Sequence, residues 1–394
     1  MRTAIIGGGA AGFFLAINLK EMMPEMEVTL FERGRRVLSK VEVSGGGRCN
    51  CTNTFEGISD LSQVYPRGHR LLKRLFHVFN QRDAYQWFER HGVRLVVQAD
   101  QCVFPASQDS HTIIDCFLRE ARWLGVVIRL EHPVNTLSAL SEYDYVAVTT
   151  GGSPKLSGLQ WLADLGHDIE EPVPSLFTFD IHDPSLQSLM GTVVDPVTVQ
   201  IPGTKFLSDG ALLITHWGMS GPAILKLSSF AARHLHAASY QSPLHVNWVH
   251  ATDAEVVQQL RATFSDYPQR HLSNINPFGL PQRLWNYLLT KSVGERMDVR
   301  CGELSKKEQN RLVNTLCNDS YQIISRAAFK EEFVTCGGVS LKSVHPNTLE
   351  SRVVPRLFFA GEVLDIDGIT GGFNFQAAWT TAFTVARAIA RKDE

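Results

Sequence analysis

Apolar residues run without a break through Ala4-Ile5-Ile6, stop at Gly7-Gly8-Gly9-Ala10-Ala11-Gly12, resume at helical spacing, and return from Val28 to Phe31, followed by Glu32. The pattern predicts a strand, a glycine turn, a helix, a second strand and a carboxylate, in that order. Residues 69 to 91 place Leu72, Leu75, Phe76, Phe79, Trp87 and Phe88 at helical intervals and end at Gly92, which predicts one helix closed by a glycine. Short strands are expected near Val93 to Val97 and Cys102 to Phe104. Ser110 is the expected cap of a helix reaching about Leu124, followed by strands from Val126 to Leu130 and from Tyr143 to Thr150, the latter running into Gly151-Gly152. Strands alternating with helices build a parallel, doubly wound sheet.

Near residue 170 the pattern changes to prolines and alternating runs, Phe177 to Ile181, Val197 to Ile201 and Ala211 to Ile214, as in an antiparallel sheet or barrel. Pro222 suits the first turn of a helix running to about His236, and residues 253 to 264, 281 to 292 and 304 to 317 read as further helices. A buried strand from Val353 to Ala360 and a long helix from about Phe375 to Arg391 restore the first style. An α/β, Rossmann-like domain, 1 to 168 and 333 to 394, is therefore expected to carry an insert, 169 to 332, mainly β to residue 250 and mainly helical from 251.

At 394 residues the chain exceeds what one core usually serves, so two or three domains are expected. Apolar content of 44%, charged content of 20% and a net charge of -2 fit a soluble globular protein with no global attraction to nucleic acid or anionic membrane. Neither a signal peptide before the first strand nor an apolar run of about 18 residues is seen, so a cytosolic protein is expected. Seven cysteines, an odd number, suggest reduced thiols rather than a disulfide framework.

The glycine turn carries the first chemistry. Gly7 allows a tight turn, Gly9 lets backbone approach a pyrophosphate, and Gly12 lets the helix press on the strand; the helix N-terminus then faces the phosphates with its free N–H groups. Glu32 is placed to bond an adenosine ribose. Two more glycine-rich segments, 44 to 47 and 368 to 372, are attached to strand ends, where ligands of open α/β sheets collect, so all three can converge on one cofactor. The run from Phe358 through Gly361-Glu362 to Gly371-Gly372-Phe373-Asn374-Phe375-Gln376 ends at a helix start. Such a start carries about half a positive charge and would favour the anionic N1–O2 side of a reduced flavin, with Glu362 bonding a ribityl hydroxyl.

The Rossmann start, Ser44-Gly-Gly-Gly-Arg-Cys-Asn50, Thr215-His-Trp-Gly-Met-Ser-Gly-Pro222, Val334-Thr-Cys-Gly-Gly-Val339 and Gly361-Glu-Val-Leu-Asp365 through Gln376 together resemble the bacterial aminoacetone oxidase family of FAD-binding proteins, over essentially the whole chain. The resemblance implies a glutathione-reductase-like FAD domain interrupted by a β-barrel-like and a helical part. It implies FAD contacts from Gly7, Gly9, Ala11, Gly12, Glu32, Arg33, Gly46, Arg48, Gly361, Glu362, Asn374 and Phe375. The chain departs from the family in a short Gly151-to-Gly158 loop, in Cys51 where an aliphatic residue is usual, and in Val146 to Gly152.

Other residues leave alternatives open. Cys49 and Cys51 lie where disulfide reductases carry a redox pair, but one intervening residue makes a strained ring, so they read as loop packing or as a lone reactive Cys49. Gly218-Met219-Ser220-Gly221 is one residue short of a nucleophile elbow and reads as a helix start that holds an anionic or carbonyl group. His216 is a candidate for proton transfer or a hinge residue. Asp365 and Asp367 orient loops or protonate substrate. His234-Leu235-His236 lacks zinc-site spacing, and no metal is assigned. Arg67, His69, Arg70, Lys73, Arg74, His77 and Arg82 form a solvated face or a phosphate-contacting patch.

No second glycine-turn unit follows residue 12, so NAD(P)H is at most a transient donor. The expected function is an FAD-dependent oxidoreductase that moves a hydride between flavin and a substrate held between the FAD domain and the insert. The substrate is a small amine or ketone, or an enone or uracil-type ring, RNA uridine included. A flavin-binding regulator without turnover is the alternative.

Overall fold

Five parallel strands form the central sheet, in the order Leu357–Phe359, Tyr145–Val148, Arg2–Ile6, Glu27–Phe31 and Val127–Arg129. Arg2–Ile6 lies in the middle, and its Ala4, Ile5 and Ile6 are buried, as a strand covered on both faces requires. In the computed structural model, residues 1–326 and 334–392 are described. The chain divides into two units, Met1–Pro174 with Val334–Glu394, and Ser175–Phe333.

The helix Ala10–Met22 follows the first strand and packs on the long C-terminal helix Phe373–Ala390. Their seam is aromatic. Phe14 lies 4.6 Å from Trp87 and 5.1 Å from Trp379, and Phe88 lies 5.6 Å from Trp379, with most of these pairs tilted or edge-on.

The single helix expected over 69 to 91 is two, His69–Leu75 and Gln81–Arg90. Asn80 starts the second with a capping box, its side chain accepting from Arg82 N at 2.8 Å while Asp83 accepts from Asn80 N at 2.8 Å. Ser110 does not cap with its side chain: its hydroxyl donates to the Glu42 carbonyl at 2.9 Å, and Asp109 accepts from the His111 amide instead. The strand Ile169–Ser175, which the pattern assigns to the insert, pairs with Val334–Val339 in a two-stranded sheet, so the first unit runs on to Pro174. Gly337 permits this pairing, because a Cβ there would lie 2.4 Å from the Glu171 carbonyl oxygen. The expected end of the insert at residue 332 lies outside the described residues.

The second unit holds a seven-stranded antiparallel sheet ordered Asp319–Ile323, Ser242–Asn247, Val193–Gln200, Leu207–Ile214, Gly218–Ser220, Phe179–Asp180 and Ser325–Arg326. The first and last members are consecutive in the chain, separated by Ile324 alone. One extended run therefore closes both edges, and the sheet curls barrel-like upon itself. Val197, Val199, Leu212, Ile214, Leu244 and Val246 fill its core together with the helices Asp253–Asp266, Gln282–Val293 and Lys306–Cys317. The helix expected from Pro222 to His236 divides into Pro222–Phe230 and Ala232–Ala237. Among the described residues no helix is long and apolar enough to cross a membrane.

Candidate cofactor site

The three glycines of the first turn differ in what a side chain would meet. Gly7 has φ +115°, and a Cβ there would lie 2.5 Å from the Thr149 carbonyl oxygen. Gly12 presses the helix against the turn, since its Cβ would come within 2.0 Å of Gly7 O. Gly9, by contrast, faces open space, with nothing within 4 Å of its Cβ position. It caps the helix Ala10–Met22 without any side-chain hydrogen bond, so the helix N–H groups stay available to an anion. Thr149 fastens the turn by donating to Gly7 O at 2.9 Å and Ile6 O at 3.1 Å.

Glu32 ends the second strand. One of its oxygens accepts from Gly8 N at 2.9 Å and the other from Gly34 N at 2.7 Å. A carboxylate has about four lone-pair sites, so two remain for ribose hydroxyls, and the backbone holds the group in place for them. Arg33 is exposed beside it.

Gly45, Gly46 and Gly47 have φ +57°, +69° and +82°, and Cβ positions on Gly46 and Gly47 meet nothing within 4 Å. The segment is an open loop, as three glycines in a row suggest, and it follows a helical turn starting at Ser39. Arg48 closes it by lying 4.3 Å over the Phe104 ring and donating to Gly45 O at 3.1 Å. Cys49 is fully buried, and burial pushes its thiol up to about 12 despite a hydrogen bond with Ser44. Cys51 is buried and pushed well above its usual value for the same reason, and its thiol donates to Val103 O. Thiols in such surroundings stay protonated at neutral pH, the opposite of a reactive thiolate. The Cys49 environment is that of loop packing.

The C-terminal segment meets both other loops. Gly361, at φ +79°, leaves room for Ala11, whose Cβ would lie 2.8 Å from a Cβ on Gly361. Glu362 accepts from Thr335 N at 2.8 Å and from Lys40 Nζ at 3.0 Å. A ribityl hydroxyl can use its remaining lone pairs. Asn53 donates to Gly371 O at 3.0 Å, Thr52 to Gln376 at 2.6 Å, and Trp379 Nε1 to Cys51 O at 2.7 Å. Gly372 has to be glycine here, since its Cβ would lie 2.3 Å from Thr52 O.

Asn374, expected to touch FAD, spends its side chain inside the loop, accepting from Gly368 N at 2.8 Å and donating to Gly368 O at 2.9 Å. It shapes the segment. Phe375 stacks on Trp379 at 5.5 Å. Asp367 is fully buried and pairs with Arg67, which is 14% exposed. Arg67 thus leaves the basic cluster in which the sequence places it. Tyr65 joins it by donating to Phe373 O at 2.8 Å. Tyr65, Thr149 and Lys40 carried no recognisable motif, and only the fold brings them to the site.

His216 belongs to the second unit, exposed with Trp217 in the turn between Leu207–Ile214 and Gly218–Ser220, its ring 4.7 Å from that of Trp217.

A parallel sheet with a glycine turn shaped for a pyrophosphate, a carboxylate for a ribose and two further glycine loops joined to it define an FAD-binding flavoprotein. The chain belongs to the family of the HI0933-like protein Rossmann domain, whose model matches residues 1–388. It is 30% identical to the ribosomal RNA dihydrouridine synthase of Escherichia coli (strain K12), over 97% of this chain and 96% of that one. The 3-dehydro-bile acid delta(4,6)-reductase of Clostridium scindens is 25% identical over 99% of both chains. Among solved structures, 3-ketosteroid delta1-dehydrogenase from Sterolibacterium denitrificans matches 99% of both chains with a TM-score of 0.48 at 10% identity. The protein is an FAD-dependent oxidoreductase, as the motifs led one to expect.

Proposed function

We propose that the protein reduces uridine in ribosomal RNA to dihydrouridine. The observation that carries this reading is the 30% identity to the E. coli ribosomal RNA dihydrouridine synthase over nearly the full length of both chains. One relative is named for a dihydro product and the other as a delta(4,6)-reductase, which favours reduction over the amine oxidation that the family resemblance also admits. In uridine that bond is conjugated with a carbonyl, so hydride adds at the carbon β to the carbonyl and a proton at the α carbon.

Bound FAD would supply the hydride, with a reduced nicotinamide as the electron source the proposal names. The chain's own part is to seat the pyrophosphate on the helix after Gly9, the adenosine ribose on Glu32 and the ribityl chain on Glu362. His216 is the residue we assign to deliver the proton.

The test is complementation. In an E. coli strain lacking its ribosomal RNA dihydrouridine synthase, expression of this protein should restore dihydrouridine in ribosomal RNA, read by nucleoside mass spectrometry. Absence of dihydrouridine in that strain and in RNA treated with purified holoprotein and NADPH or NADH would refute the reading. Consumption of a Δ4-3-ketosteroid instead would select the small-molecule enone reading, which rests on the similarity to the bile acid reductase.

A further inference from the structure

From Leu61 to Arg82 the chain carries five arginines and lysines and no acidic residue, in a protein whose net charge is -2. One of the five, Arg67, is inside, paired with Asp367. The other four, Arg70, Lys73, Arg74 and Arg82, are exposed, together with His77. Arg70, Lys73 and Arg74 stand three and four residues apart on the helix His69–Leu75, whose Leu71, Leu72 and Leu75 face the core, so their charges share one outer face. Arg74 donates to Asn347 at 3.1 Å, and the acids that border the patch are Asp60, near Lys73 and His69, and Asp83, next to Arg82.

The helix is also bound to the flavin segment of the cofactor site. Gly68, just before it, packs on Ile366 so tightly that a Cβ would lie 2.6 Å from the Ile366 side chain. Ile369 N donates to Val64 O at 2.9 Å, Tyr65 donates to Phe373 O at 2.8 Å, and Arg67 pairs with Asp367. Four ties therefore join residues 64 to 68 to residues 366 to 373. A ligand held by the basic face is held at a fixed offset from that segment.

We infer that the face formed by Arg70, Lys73 and Arg74, with Arg82 and His77 beside it, docks the phosphate backbone of the RNA substrate and so registers a uridine against the flavin segment. The inference rests on the ribosomal RNA reading above. Sugar–phosphate is the chemistry such a face recognises: several point charges, without a deep pocket, meeting a regularly spaced polyanion. Base identity is left to the reaction site, as phosphate contacts position and do not specify.

The experiment compares wild-type holoprotein with the triple variant Arg70→Gln, Lys73→Gln, Arg74→Gln on in vitro transcribed ribosomal RNA, measuring affinity against salt concentration by fluorescence anisotropy. All three side chains are exposed, so the variant should keep its flavin, read from absorbance near 450 nm. Each lost phosphate contact removes about 0.7 to 0.9 from the slope of log affinity on log salt, so the slope should fall by about 2 and affinity by about tenfold or more. Arg67 stays in place, so the cofactor site is untouched. Should the variant bind RNA with wild-type affinity and slope while wild type still forms dihydrouridine, the docking surface is wrong and the RNA reading stands. If wild type neither binds the RNA nor forms dihydrouridine, both fall. Anionic phosphatidylglycerol vesicles serve as a second probe: loss of vesicle binding with unchanged RNA binding would also overturn the assignment.

Discussion

Replacing Gly9 by alanine separates the cofactor from the fold. Gly9 has φ −92° and ψ −168°, a backbone conformation open to any residue, and its Cβ would meet nothing within 4 Å. The apoprotein should therefore tolerate the methyl group, and the loss of unfolded-state freedom should stabilise it by about 0.4 to 1 kcal/mol. With the pyrophosphate seated at this turn as proposed, FAD has no such tolerance, because it would have to approach this backbone to reach the helix N–H groups. A methyl group forced into a packed contact costs about 1 to 3 kcal/mol, which is roughly a 10- to 100-fold loss of affinity. Gly12→Ala is the contrasting case. Its Cβ would start 2.0 Å from Gly7 O and 2.8 Å from Thr149 Oγ1, so reaching even 3.0 Å takes a 1.0 Å separation of helix and turn. That variant should lose about 1 to 3 kcal/mol or more without FAD present. The assay pairs urea unfolding of flavin-stripped protein with FAD titration followed by quenching of flavin fluorescence. Wild-type FAD affinity in the Gly9→Ala variant would refute the placement of the pyrophosphate at this turn, whatever the stability result.

Three further predictions concern buried and partly buried side chains. Asp367→Ala leaves Arg67 buried without its carboxylate and should destabilise the protein by about 3 to 5 kcal/mol, read as a lower urea midpoint; an unchanged midpoint would show that the pair contributes nothing. All seven cysteines are buried, and burial raises Cys49 to about 12, so the native protein should show no rapidly reacting thiol with Ellman's reagent at about pH 8, and all seven once unfolded in urea. A single fast thiol traced to Cys49 would restore it as a reactive group. His91 is disfavoured as a cation by burial, but the carboxylate of Glu21 at 2.8 Å and the carbonyl of Trp87 at 2.7 Å outweigh this and raise its pKa. Its stabilisation is fully present below the unfolded value of about 6.5 and is lost as pH rises through the higher folded value. His91→Gln should therefore flatten the fall of melting temperature with pH just above about 6.5, and an unaltered profile would assign that fall to another group.

The parts of the site legible in the sequence are those that depend on near neighbours. Gly7, Gly9, Gly12 and Glu32 span one strand–helix–strand unit, and the packing read from the spacing has a counterpart at Gly7 and Gly12, where a Cβ would strike the backbone, while Gly9 faces open space. Asn80 and Asp83 carried a local signal too, a capping box at residues 80 to 83, hidden by a hydrophobic period that runs through the break. Other features had none. Arg67 looks like a member of a surface cluster because its partner, Asp367, is 300 residues away, and a guanidinium's environment is a property of the fold. The strand Ile169–Ser175 shares the proline-rich look of the insert and is claimed for the first unit by Val334–Val339, which the sequence places far off. Asn374 has the family's motif position, and its side-chain hydrogen bonds to Gly368 make it a loop brace, which the motif alone does not reveal.

The hydrogen bonds that shape the flavin segment are made within the protein. Asn53 to Gly371, Tyr65 to Phe373 and Asn374 to Gly368 join side chains to backbone, and Thr52 to Gln376 joins two side chains. A segment with two positive-φ glycines, Gly371 and Gly372, would be costly to order at the moment of binding, and these ties meet that cost during folding. The cofactor site is thus preorganised from residues 50 to 68. Those same residues lead directly into the helix His69–Leu75, so a disturbance at its root has two consequences of different kind. Removing Arg67 or Tyr65 should impair FAD retention and RNA register together, whereas removing the outer cations should impair RNA alone. That split follows from which side chains point inward, and on the proposed docking it would make residues 64 to 68 the physical link between binding a polyanion and holding a flavin.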